Sequence, residues 1–222
     1  MDERQIVGLR LAELARPYLD RDDKDGLARR LDADWSPECL ELLLDSADVE
    51  IVELATVGLG LIGRMTVCAP LASLLHHPTD SVAEAAEEAL WSVWFRDGGA
   101  VGQGALLRIA KSIRSGRTEN VVPMLTELIR ARPMYAEAYH QRSQAYYLEN
   151  SYHFALRDAR RGCELNPWHF GALANQAHSL AALGRLPEAL EKYTSVLELH
   201  PRMPGIQKTI DRLRERLTLV AT

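Results

Sequence analysis

The chain has 222 residues, 47% hydrophobic and only 6% aromatic, with a formal net charge of −5. That is apolar material enough for a folded protein, and it is mostly Leu, Ala and Val, the packing stock of helix pairs. No apolar run nears the roughly 20 residues of a membrane span, and the opening Met-Asp-Glu-Arg-Gln has acids where a secretory leader has bases; a cytoplasmic chain without membrane contact is expected. Cys39, Cys68 and Cys163 are odd in number and form no CxxC, so they are read as small core residues rather than disulfides or metal ligands. The charge is unevenly spread. The first 98 residues carry 20 Asp/Glu and 9 Lys/Arg, a net of −11, and the remaining 124 carry a net of +6. Two domains are expected from this. The basic half is too weakly charged to point to nucleic acid.

Residues 3–34 are predicted to form a first helix pair, with Val7, Leu11 and Leu14 on one face and Leu27 and Leu31 on the partner helix. Ser36-Pro37-Glu38 is a helix start: a capping hydroxyl, proline at the first position and an acid in the first turn. From Leu40 a period near 31 sets in, in which Leu40, Leu43, Leu44, Ile51, Ala55, Gly58 and Leu59 recur as Leu71, Leu74, Leu75, Val82, Ala86, Ala89 and Leu90. Asp45-Ser46-Ala47-Asp48 and His77-Pro78-Thr79-Asp80 supply turn and capping chemistry between the helices. The second-helix segments VEIVELATVGLGLIG and DSVAEAAEEALWSVW resemble HEAT repeats of the short type found in bilin-lyase-like proteins, although Val52 and Ala83 stand where that family has Arg. Residues 1–98 are therefore expected to be acidic HEAT-like repeats.

Asp97–Gly104 holds four glycines, but no Lys-Ser/Thr directly follows the last and no strand precedes it, so it is predicted to be a helix stop and bend rather than a phosphate loop. Trp91, Trp94 and Phe95 are expected to pack the two halves together.

Beyond it a 34-residue period governs the chain. Pro133, Pro167 and Pro201 keep it, as do Gly116, Asn150 and Gly184, and Val121, Ala155 and Ala189. A fixed period of this size marks stacked helix pairs that bury their faces against neighbours. Aligning on the prolines gives units 102–135, 136–169 and 170–203. In the middle one, helices are predicted over Ala136–Leu148 and Tyr152–Leu165, with Asn150 in the turn. Tyr139, Ser143, Tyr146, Ala155, Gly162 and Pro167 match the large, small, aromatic, small, small and Pro positions of the tetratricopeptide repeat (TPR), and the chain resembles that family over about a hundred residues. The third unit keeps Leu173, Ala177, Ala189, Tyr193 and Pro201. The first is degenerate, with Ile109 and Val121 in place of small residues, and Arg142 and Gln176 depart from the usual Leu. After Pro204-Gly205, the stripe Ile206, Ile210, Leu213 and Leu217 over 204–222 reads as the solvating cap helix such arrays require. The expected fold is all-α, a right-handed α-solenoid of antiparallel helix pairs, HEAT-like and then TPR.

No catalytic constellation is found. His76-His77 are adjacent on a helix, so their side chains diverge by about 100° and cannot chelate one ion. Asp22-Asp23 and Glu87-Glu88 are read as exposed charge pairs, and no nucleophile has a His at useful spacing. We expect no enzyme, no metal and no cofactor. The resemblance to TPR arrays implies a groove on the concave face formed by first helices. Carried onto this chain, its lining is Glu137, His140, Gln141, Gln144, Tyr147, Asn175 and His178. Amide and imidazole donors with an aromatic suit an extended peptide. The clamp that holds chaperone carboxylate tails is matched only at Asn175, which disfavours that ligand. The expected function is a non-enzymatic adaptor that docks a peptide or protein. Alternatives are self-association, weakly and through the acidic and basic halves, or an accessory role in a bilin-lyase-like or chaperone-like assembly.

Overall fold

The computed structural model describes residues 3–114 and 118–220, which are helical with short turns and contain no strand. Gly116 of the proposed turn series lies outside them. The chain divides into two compact units, residues 1–94 and 95–222.

In the first unit, α1 (Glu3–Leu19) packs on α2 (Lys24–Asp34) and α4 (Val49–Ile62), and the short α3 (Pro37–Glu41) packs on α4. After α4 come α5 (Cys68–Leu74) and α6 (Asp80–Asp97). The caps follow the sequence: Ser36 Oγ accepts from the Cys39 amide, and Asp48 Oδ1 from the Glu50 amide. Asp23 is a cap as well, accepting from the Gly26 amide at 2.8 Å, while Asp22 sits in the left-handed region at φ 53°. Of the expected exposed pair, Asp22 is thus an exposed turn residue and Asp23 a half-buried helix cap. The buried face of α1 is also rotated from expectation. Gly8, Leu11, Ala12 and Ala15 are buried, whereas Val7 and Leu14 are half-buried, because the small residues at 8, 12 and 15 let neighbouring helices approach. Of the cysteines, Cys68 is buried and Cys163 half-buried, but Cys39 is exposed, on the outer side of the single-turn helix α3.

The glycine-rich bend is shorter than predicted. Only Gly98-Gly99 breaks the helix, with Gly99 at φ +60°, and α7 (Gly99–Arg114) runs through Gly102 and Gly104. The glycines at 98 and 102 serve close approach instead: a Cβ at either would lie 2.6 or 3.0 Å from the Tyr135 ring, whose hydroxyl donates to the Phe95 carbonyl at 2.8 Å.

The second unit continues with α8 (Val121–Ala131), α9 (Ala136–Leu148), α10 (Tyr152–Leu165), α11 (Phe170–Ala182), α12 (Leu186–Leu199) and α13 (Ile206–Val220). Each helix packs on the next, and α9 also reaches α11, the pattern of stacked pairs. Asn150 (φ 58°) and Gly184 (φ +76°) take the left-handed turn conformation that their positions in the period require. Two apolar clusters form. One joins α7, α8 and the start of α9 around Leu125, and the other joins α11, α12 and α13 around Tyr193 and Val196. Between them, in the middle pair, polar groups are buried: Glu137, His140, Arg142, Ser143, Asp158 and His169, with Gln176 of α11 beyond.

Among the described residues no helix is long and apolar enough to cross a membrane.

Candidate functional site

The middle pair sets the geometry because its polar layer is bonded through. Arg142 Nε and a terminal nitrogen donate to Asp158 Oδ2 and Oδ1 at 2.6 and 3.1 Å, and its other terminal nitrogen donates to Thr126 Oγ1 at 3.1 Å. Ser143 Oγ donates to the Ala155 carbonyl at 2.9 Å. The His169 ring caps α11, its Nδ1 accepting from the Ala172 amide at 3.2 Å. That contact places the ring proton on Nε2, which faces Glu137 Oε2 at 3.0 Å. Gln141 Nε2 donates to the other carboxylate oxygen at 2.6 Å, and Asn175 Nδ2 lies 3.3 Å from His140 Nδ1.

Two of the predicted groove residues therefore do not line a groove. Glu137 and His140 are 3% and 2% exposed, held inward by His169 and Asn175 across the helix-pair interface. Asn175 is half-buried beside His140. His178 and Tyr147 are half-buried too, with rings 6.1 Å apart, and His178 Nδ1 meets the Tyr193 hydroxyl at 2.6 Å. Gln141 and Gln144 are brought together on one cavity of about 340 Å³, lined also by Ile109, Glu119, Val121, Ala145, Leu148 and Glu149. Ile109 and Val121 occupy the positions held by Ser143 and Ala155 in the next repeat, both fully buried there. A branched residue where the array has Ser or Ala keeps helices from closing tightly, and the cavity lies at that departure. The substitutions were visible in the sequence; the space beside them was not.

Glu137, His140 and His169 also bring three ligand-type atoms within 4.8 Å of one another. Reasoning from local spacing missed this cluster because its third member lies a repeat away, although Glu137 and His140 form a one-turn pair. Its chemistry is that of a hydrogen-bonded lock. Coordination at His169 Nε2 would move the ring proton to Nδ1, against the Ala172 amide, and break the cap on α11.

Burial, helped by neighbouring His169, pushes the His140 imidazole down from 6.5 to about 3. For Glu137 burial pushes upward, but the His169 hydrogen bond and the charges of His140 and His169 outweigh it, and the carboxyl is lowered. The signs agree. The unfolded chain takes up protons at both groups where the folded chain does not, so stability is full above the ordinary imidazole value and is lost as pH falls from there toward 3. The thermal midpoint is expected to drop between pH 7.5 and pH 5, with His140→Gln flattening the drop. An equal slope in both proteins would contradict it.

No protein-family model matches the chain. Over 124 residues it is 27% identical to a TPR repeat-containing protein of Rhizobium etli, spanning 55% of this chain and 61% of that one. Over 83 residues it is 34% identical to serine/threonine-protein phosphatase 5 of Homo sapiens, spanning 37% of this chain and 17% of the phosphatase. The chain thus spans less than two thirds of either relative. Among solved structures, the first TPR domain of Spaghetti (RPAP3), bound to an HSP90 peptide, aligns with 52% of this chain and 97% of its own at 24% identity and a TM-score of 0.49. The similarity in sequence, like the 34-residue phasing of paired helices, is to tetratricopeptide-repeat proteins.

Proposed function

We propose that the chain is a non-catalytic protein-binding scaffold that docks an extended peptide segment on the second unit, over the cavity beside α9. The observation that carries this is the cavity itself: an apolar floor of Ile109, Val121 and Ala145, an 81%-exposed Leu148 at its wall, and two glutamine side chains at its edge. An apolar pocket with a few placed polar groups is the ordinary form of a binding site, and a stacked array presents it preformed, so little ordering entropy is lost by the scaffold. The 34-residue repeat supports the reading, since residues that fix its phase are packing residues and leave the exposed ones free for recognition. On the same reading the first unit is a set of acidic HEAT-like pairs that extends the scaffold.

The test uses a partner captured from the source lysate, then purified and titrated by calorimetry. Gln144→Ala/Leu148→Ser is expected to weaken its affinity about tenfold or more, since it removes both the apolar wall and a free amide of the cavity and a few such contacts carry most of an interface's energy, while the thermal midpoint stays unchanged because both residues are exposed. Unchanged affinity in the variant would remove the cavity from the binding surface.

A further inference from the structure

We propose that the cavity beside α9 selects a peptide whose apolar anchor residue is flanked by lysine or arginine. This rests on the peptide-docking reading above and goes beyond it by naming the ligand's charge.

The size comes first. About 340 Å³ is at the low end of the roughly 300–1,000 Å³ of small-ligand pockets, so it takes one or two side chains and not a folded surface. The floor and wall are aliphatic, from Ile109, Val121, Ala145 and Leu148, and suit a Leu, Ile, Met or Phe anchor. Gln144 is exposed, and among the described residues its amide has no hydrogen-bond partner, which leaves a donor and an acceptor facing a peptide backbone there. Gln141 has its nitrogen committed to Glu137 and offers its oxygen.

Charge then decides the flanking residues. Glu119 and Glu149 line the same cavity, both exposed, and neither has an ion-pair partner among the described residues. Two carboxylates beside an apolar pocket, unpaired among the described residues, attract a cation and repel an acidic tail, and a peptide ammonium or guanidinium reaching either rim stays partly hydrated, so its pairing carries little desolvation cost. The arginine-lined cavity of about 540 Å³ on the α10 side is a poorer charge reader. Four of its five arginines are already tied, Arg142 and Arg157 to Asp158, Arg161 to Glu164 and Arg185 to Glu188, which leaves Arg160 as the one without an ion pair among the described residues.

The experiment pans a random ten-residue peptide library displayed on phage against the full chain, with two variants in parallel. Glu119→Lys/Glu149→Lys reverses the rim charge at exposed positions, and Gln144→Trp plugs the cavity from its exposed edge; circular dichroism checks that both stay helical. Wild type is expected to enrich Leu, Ile, Met or Phe next to Lys or Arg. Synthetic peptides from that pool should lose about tenfold in affinity when Lys is replaced by Glu, and the charge-reversed variant should invert the preference. Apolar enrichment with no charge preference, or with acidic neighbours, would overturn the inference and leave the docking reading standing. Enrichment no different from that on Gln144→Trp would overturn both.

Discussion

Asp158→Ala is expected to destabilise the second unit by about 3–5 kcal/mol, read as a lower denaturation midpoint in urea at pH 7. Asp158 is 2% exposed and holds a bidentate pair with Arg142, whose side chain is 10% exposed. Removing the carboxylate leaves a buried guanidinium with only Thr126 Oγ1 and the flanking Tyr139 and Tyr146 rings, at 5.8 and 5.9 Å, to stabilise its charge. Arg157 also reaches Asp158, but its side chain is 58% exposed and turns into water without cost. A buried pair is costly to break and cheap to replace, because two desolvated charges gain little over well-packed apolar groups. Arg142→Leu/Asp158→Met should therefore recover most of the loss. Leu is the usual residue at the first position of TPR units, and Met124 stands at the equivalent of the second in the preceding repeat. A loss below about 1 kcal/mol for Asp158→Ala would mean the pair is open to solvent.

That pair also shows what the sequence could and could not disclose. Arg142 stands out as a departure from the repeat pattern, since a charged residue occupies a packing position. Its meaning depends on Asp158, sixteen residues on and across a helix pair, and no local pattern joins them. The same holds for Glu137 and His169, thirty-two residues apart, and for His140 and Asn175, thirty-five apart, whose contacts hold two predicted groove residues, Glu137 and His140, inward. Helix ends were far more legible. Ala136–Leu148, Tyr152–Leu165 and the left-handed turns at Asn150 and Gly184 follow from period, proline and turn chemistry, all of which act within a few residues. The glycine-rich segment was misjudged for the converse reason. Gly102 lies in the first turn of α7 not to bend the chain but to make room for a ring thirty-three residues away.

In the first unit, Gly60→Val is expected to cost about 3 kcal/mol, through overpacking that no side-chain rotation relieves. Gly60 is buried in α4, and a Cβ there would lie 2.8 Å from the Cα and 2.9 Å from the Cβ of Ala89 on α6. Only movement of one helix backbone against the other makes room, and the surrounding core is close-packed. Gly58, two residues earlier, is the control. Its added Cβ would meet the Leu40 Cδ1 end at 2.9 Å, a flexible tip that can turn aside, and replacing a mid-helix glycine by alanine gains up to about 1 kcal/mol in propensity. Gly58→Ala should be near neutral or stabilising, whereas Gly60→Ala should destabilise despite the same gain. The 31-residue period aligns Gly58 with Ala89 and gives Gly60 no special place, so the contrast tests the packing and not the pattern. Trp35, Trp91 and Trp94 lie in this unit, and Trp168 is the one tryptophan in the other. Urea melts followed by tryptophan fluorescence in a Trp168→Phe background therefore report on the first unit alone. Equal midpoints for the two alanine variants would show that α4 and α6 do not cross at Gly60.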